Sequence, residues 1–188
     1  MIWNEILCLG DSITFGARDR YGRSYPAELG KILFEKTGEF YYCHNYSKCG
    51  DTSSDLLRKA WNAAKSHKDA KLALIMIGTN DTQKSIPPEI YEDNLRQIIG
   101  SVRANGKIPI VATLPQLGFT PLYIKNKDYI SKYNEVIYKL SKKLDFVVCD
   151  MSGTENHYID NVHYTHEGYN ILANRFATTI LNLQREVK

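Results

Sequence analysis

The chain has 188 residues, a formal net charge of +3 and a hydrophobic fraction of 43%. This length suffices for one domain with a sizeable core, and we expect a single domain over residues 1–188. The small positive charge is not clustered, which argues against nucleic-acid binding. The longest apolar run, Leu72–Ile77, has six residues and is too short to span a bilayer, so no membrane partner is expected.

The amino terminus and the cysteines predict where the protein works. The first residues, MIWNEILCLGDS, lack a basic stretch followed by a long apolar run, so they do not read as a secretory signal. The four cysteines form no Cys-x-x-Cys pair, and we expect them to be free thiols. Together these features predict a cytoplasmic protein in a reducing compartment.

Five short runs rich in β-branched and aromatic residues recur along the chain. Several are nearly continuous in apolar character, which is typical of strands buried on both faces of a parallel sheet. The predicted strands cover Trp3–Leu9, Phe40–Asn45, Lys71–Ile77, Ile108–Leu114 and Asp145–Asp150.

Longer amphipathic segments separate these strands. In the first, YPAELGKILFEKTG, Pro26 suits an early helical position and Gly38 suits a helix end. In the last, THEGYNILANRFATTILNLQ, Thr165 is a natural N-cap. The alternation of strands and helices predicts a three-layer α/β/α sandwich. Ligands in such sheets bind outside the carboxyl ends of the strands.

Two polar motifs follow predicted strands directly. The sequence GDS at residues 10–12 follows the first strand, and Ser12 is either part of a tight turn or a nucleophile. The sequence GTND at residues 78–81 follows the third strand. Asn80 in it either belongs to a helix cap or directs its amide at an oxyanion.

A third motif, YIDNVHYTHEGY, holds Asp160 and His163 in a loop before the last helix. A serine hydroxyl needs a base to remove its proton, and a carboxylate improves that base by fixing its tautomer. The spacing of His163 and His166, with acidic residues nearby, also suits a metal ion. We disfavour a metal because it would leave Ser12 and Asn80 without a role. His166 is the reserve candidate for the base.

These motifs together resemble the SGNH hydrolases, also called the GDSL family of esterases and lipases. The blocks are GDSITFG, NYSKCGDTSSDLL, GTND and DNVH, in the family's order. The resemblance implies a flavodoxin-like sandwich with a five-stranded parallel sheet. It also implies a serine esterase that forms an acyl-serine, with Ser12 as nucleophile, His163 as base and Asp160 as its partner.

The same resemblance implies an oxyanion hole made by the backbone N–H groups of Ser12 and Gly50 and the side chain of Asn80. No cofactor or metal is expected. Further contacts to the substrate are predicted for Asp11, Tyr123 and Val162, which lie in or near the motif loops.

The expected partner is a small-molecule ester, with a short acyl group and above all an acetyl ester of a carbohydrate or small metabolite. The alternatives are a thioesterase or lysophospholipase of the same family, or a non-catalytic flavodoxin-like binding module. The sequence PQLGFTPLYIKNKDYIS, after the fourth strand, is either a wall over the substrate or an irregular connection. No phosphate-binding glycine motif is present, which disfavours the binding module.

Overall fold

A computed structural model describes residues 4–118 and 128–186. Its sheet has five parallel strands in the order β2-β1-β3-β4-β5, which is the flavodoxin-like order. The strands are β1 (Asn4–Gly10), β2 (Tyr41–Ser47), β3 (Ala70–Met76), β4 (Ile108–Ala112) and β5 (Val147–Cys149). The predicted five-stranded parallel sheet is therefore confirmed.

Helices follow the strands along the described chain. They are α1 (Ser12–Phe15), α2 (Tyr25–Thr37), α3 (Ser53–Ser66), α4 (Thr79–Gln83), α5 (Pro88–Ala104), α6 (Tyr129–Leu144) and α7 (His166–Glu186), with a 3-10 turn at Glu155–His157. Within the described ranges, no helix is both long enough and apolar enough to cross a membrane.

Alternate residues of each strand enter two separate cores. Leu7 and Leu9 pack with the helices α3, α5 and α6 on one face of the sheet. Ile6 and Cys8 pack with α2 and α7 on the other face. Helices cover both faces of the sheet, which explains why several strands are apolar almost without interruption and confirms the three-layer sandwich.

Short-range signals set the ends of the outer helices as predicted. Gly38 ends α2 with a left-handed φ of 74°, and its N–H donates to the Phe34 carbonyl. Thr165 stands before α7, where its hydroxyl accepts from the Gly168 N–H at 3.2 Å. These caps satisfy backbone groups that would otherwise lack partners at the helix ends.

Strand β4 is shorter than the sequence predicts, because it ends at Ala112 and not at Leu114. The backbone of Leu114 instead bonds in both directions to the Asn134 side chain of α6, at 2.7 and 2.8 Å. A side chain far away in sequence thus replaces the next strand pairing. All four cysteines are free thiols, as predicted.

Candidate active site

The end of β1 places a serine at the carboxyl edge of the sheet. Gly10 pairs with Met76 of β3, and a Cβ on Gly10 would lie 2.6 Å from the Met76 carbonyl oxygen. Only glycine allows so close an approach of two backbones. Asp11 then caps α1 by accepting from the Ile13 N–H at 3.0 Å. Ser12 is therefore the first residue of α1 and stands just beyond the strand.

Ser12 is hydrogen bonded to His163, which lies 151 residues away in sequence. His163 Nε2 is 2.9 Å from Ser12 Oγ, and His163 Nδ1 is 2.8 and 3.0 Å from the two carboxylate oxygens of Asp160. A neutral imidazole that donates its Nδ1 hydrogen to Asp160 has an unprotonated Nε2. That nitrogen accepts from the Ser12 hydroxyl, which gives the order of groups that nucleophilic catalysis by serine requires.

The loop between β5 and α7 holds this pair in place through its own backbone. Tyr158 and Tyr164 form an isolated antiparallel bridge, and the Ile159 N–H donates to the His163 carbonyl at 2.7 Å. Inside the loop, Asp160 Oδ1 accepts from the His163 N–H at 2.8 Å. The loop therefore positions the carboxylate and the imidazole together.

The surroundings of Asp160 favour its charged form. Partial burial acts to raise the pKa of this carboxyl group, but hydrogen bonds from the backbone and ring of His163 and from the Val162 N–H outweigh it, and the pKa is lowered. A carboxylate that stays ionised stabilises a neighbouring imidazolium.

The end of β3 brings Asn80 to the same edge. Gly78 joins β3 to α4 with a φ of 135°, a conformation that other residues rarely adopt. The Asn80 side-chain nitrogen donates to the Asp51 carbonyl at 2.9 Å and lies 3.5 Å from Asp11 Oδ2. The β3 turn therefore places a side-chain amide against the residue that precedes Ser12.

Gly50 belongs to the loop that contacts Asn80. It has a left-handed φ of 83°, and the loop is attached to the end of β1 because the Lys48 N–H donates to the Gly10 carbonyl at 3.4 Å. The N–H of Gly50 donates to no backbone carbonyl in residues 4–118 and 128–186. The Ser12 N–H lies in the first turn of α1, where the helix itself offers no acceptor.

The structure describes two of the three residues that are predicted to contact substrate. Asp11 is 1% exposed and Val162 is 9% exposed. Tyr123 lies outside the described residues, as does much of the segment that is predicted to be a wall or a connection. For all three residues, contact with substrate stays a prediction.

A sequence profile of the GDSL-like lipase/acylhydrolase family matches residues 8–171, which includes every element of the site described above. The chain belongs to this family. Among curated relatives, an arylesterase of Vibrio mimicus is 28% identical over 140 residues, which are 74% of this chain and 64% of the relative. Thioesterase 1/protease 1/lysophospholipase L1 of Escherichia coli is 30% identical over 142 residues, which are 76% of this chain and 64% of that relative.

Solved structures of this GDSL-like fold superpose over nearly the whole chain. Est24, a carbohydrate acetylesterase from Sinorhizobium meliloti, matches with a TM-score of 0.82 at 18% identity and covers 96% of this chain and 99% of its own. At this identity the likeness concerns the fold. The matches to the two curated relatives reach only 64% of their lengths.

His166, the reserve candidate for the base, contacts Asp19 and Asn170 in this GDSL-like site. Its Nδ1 lies 3.8 Å from Asp19 Oδ1, and its Nε2 lies 3.2 Å from the Asn170 amide nitrogen. Among the residues that the structure describes, no three His, Cys, Asp or Glu side chains are grouped so that they could hold a metal ion. His163 is therefore the histidine at hydrogen-bond distance from Ser12.

An arginine contacts Asp160, and no sequence motif indicated this contact. Arg18 Nε lies 3.3 Å from Asp160 Oδ2, on the loop that follows α1. That loop is attached to α7, because the Tyr169 hydroxyl donates to the Ala17 carbonyl at 2.8 Å. The sequence shows three arginines at positions 18, 20 and 23, but no local pattern indicates which of them reaches Asp160.

Proposed function

We propose that this protein is a carboxylic ester hydrolase that works through an acyl-serine on Ser12. The observation that carries the proposal is the hydrogen-bonded series from Ser12 Oγ through His163 to the Asp160 carboxylate, at 2.9 and 2.8 Å. It lies at the carboxyl edge of a parallel sheet in a member of the GDSL-like family. A binding module would not require this alignment of hydroxyl, imidazole and carboxylate.

In the first step His163 Nε2 takes the Ser12 proton while Ser12 Oγ attacks the carbonyl carbon of the ester. The tetrahedral intermediate then collapses, and His163 returns the proton to the leaving alcohol. In the second step water attacks the acyl-serine while His163 accepts its proton, and the acid leaves as His163 returns that proton to Ser12 Oγ. Asp160 holds the imidazole in the tautomer that both steps need.

The negative oxygen of each intermediate needs donors, and we assign three to it. They are the backbone N–H groups of Ser12 and Gly50 and the side-chain amide of Asn80. Loss of one oxyanion donor costs about 10²- to 10³-fold in kcat. We therefore expect Asn80→Ala to lower kcat by this factor, and near-normal turnover would remove Asn80 from the hole.

The nucleophile is tested by labelling with a fluorophosphonate and mapping the modified peptide. The label is expected on Ser12 and is expected to disappear in Ser12→Ala. Ser152→Ala is the matched control, because Ser152 is an exposed serine of the loop after β5 whose hydroxyl and N–H both donate to Asp150. A label on any other residue would refute the central assignment.

For the substrate we propose a short acyl group, above all acetyl, on a carbohydrate or small metabolite. The fold match to a carbohydrate acetylesterase supports it. So does a cavity of about 300 Å³ whose lining includes Gln116, Glu155 and Asn161, the residue that follows Asp160 in the chain. Polar lining of this kind suits a leaving group with hydroxyls.

The alternative is a thioesterase or lysophospholipase, which the Escherichia coli relative favours by its name. Rates on p-nitrophenyl acetate and p-nitrophenyl octanoate separate the two. The acetyl proposal expects the higher kcat/KM on acetate, because a long chain needs an apolar groove. A preference for octanoate would establish the alternative. The cytoplasmic location stays a prediction.

A further inference from the structure

The side-chain amide of Asn80 has two hydrogens, and both have an acceptor in the free protein. One is given to the Asp51 carbonyl at 2.9 Å. The acceptor nearest the other is Asp11 Oδ2, at the longer distance of 3.5 Å. An oxyanion bound by Asn80 must take the second hydrogen from Asp11, because the first is held in a normal hydrogen bond.

Asp11 has little else to stabilise a negative charge on that oxygen. Its side chain is almost completely buried, at 1% exposure for the residue. Among the described residues, its Oδ1 accepts from the Ile13 N–H at 3.0 Å, and the hydrogen-bond contact of Oδ2 is the long one to Asn80. A buried carboxylate needs strong partners to remain charged, so this one is poorly supported as an anion.

Two further carboxylates make the charged form of Asp11 still less favourable. Asp51 is paired with Lys59, and Asp81 accepts from the backbone and hydroxyl of Ser53. Burial first, and then the charges of Asp81 and Asp51, raise the pKa of Asp11 from 3.8 to about 7, against the lowering effect of hydrogen bonds from the Ile13 N–H and from its own backbone. The phenols that also face Asp11 are Tyr25, Tyr91 and Tyr169.

Those phenols carry no competing charge, because burial raises the pKa of each of them. On the reacting side, the titratable neighbour is His163, which is bonded to the adjacent Ser12. Asp11 is therefore a carboxyl group able to change its charge near neutral pH, next to a donor that catalysis would use.

We infer that Asp11 is a positioning residue that controls the second hydrogen of Asn80. While Asp11 is protonated, this hydrogen is available to the oxyanion formed at Ser12. When Asp11 ionises, the carboxylate attracts this hydrogen and holds it away from the oxyanion. The inference rests on the proposed function, and it adds a second ionisation that switches the enzyme off as the pH rises.

The test is the pH profile of kcat/KM for p-nitrophenyl acetate from pH 5 to 9, corrected for spontaneous hydrolysis. We expect the wild type to decline above about pH 7 and to lose at least tenfold by pH 9, since a group with that pKa is then about 1% protonated. Asp11→Asn keeps the cap acceptor and is never charged, so its profile should stay level above about pH 7. Asp93→Asn, which removes an exposed carboxylate from α5, should keep the wild-type decline.

A structural role for Asp11 would instead lower activity equally at every pH, and parallel profiles of the wild type and Asp11→Asn would overturn the inference. If Asp11→Asn fails to fold by circular dichroism, Asn80→Ala gives the answer. Because Asp11 acts through Asn80, the residual activity of this variant should lack the decline, and a persistent decline would also overturn the inference. Full activity in Ser12→Ala would instead refute the proposed function.

Discussion

Gly78 joins β3 to the helix that carries Asn80, and replacing it with alanine should disturb both stability and the site. A Cβ at this position would lie 2.6 Å from Leu114 Cδ1 and 3.0 Å from Tyr91 Cε2. The end of Leu114 can turn, but the Tyr91 ring is held because its hydroxyl donates to the Ile77 carbonyl at 2.9 Å.

Two costs add for Gly78→Ala. A residue held at a φ of 135° costs about 1–3 kcal/mol. Forcing a methyl group into a packed core costs about 1–3 kcal/mol more. The free energy of unfolding should therefore fall by roughly 2–6 kcal/mol, which is a large share of the roughly 5–15 kcal/mol of an ordinary domain. Because Asn80 follows two residues later, kcat should fall as well.

Urea unfolding followed by circular dichroism measures this loss. Gly106→Ala is the matched control, because Gly106 also has a left-handed φ, of 74°, but no neighbouring atom lies within 4 Å of its added Cβ. It should lose only about 1 kcal/mol, from backbone strain. Equal losses in the two variants would refute the packing argument, and unchanged kcat in a folded Gly78→Ala would refute the link to Asn80.

Three further predictions concern charge and packing. Asp160→Asn should lower kcat by roughly 10²- to 10⁴-fold in steady-state assays. Because the pKa of Asp160 is lowered in the folded protein, its ionised form stabilises the wild type at neutral pH, and this contribution disappears as the pH falls. The variant should lack that contribution at every pH. In urea titrations the unfolding free energy of the wild type should fall by about 4 kcal/mol as the pH rises from about 4 to about 7, because the raised pKa of Asp11 disfavours its ionised form in the folded state. Asp11→Asn, which has no carboxyl group at this position, should not show this loss. Phe176→Ala should cost about 3–5 kcal/mol in the same titrations, because this buried ring stacks on another at 4.8 Å, whereas Phe15→Ala, at an exposed ring, should be nearly neutral.

The fold was predictable because its signals are local. Continuous apolar runs, alternating with amphipathic segments, indicated a parallel sheet covered on both faces, and the structure has it. Local preferences also set helix ends, with Pro26 at the start of α2, Gly38 at its end and the Thr165 hydroxyl before α7. The end of β4 was missed because Asn134, on a different helix, takes over the hydrogen bonds of Leu114.

The sequence by itself determined which chemical groups follow the strands, and so which residues to suspect: Ser12, Asn80, Asp160 and His163. Only the tertiary structure decided how they meet. The 2.9 Å contact of His163 with Ser12, the approach of Asp11 to Asn80 and that of Arg18 to Asp160 depend on how separate loops pack at one edge of the sheet. Such contacts leave no local pattern in the sequence, because the two partners lie far apart along the chain and meet only when it is folded.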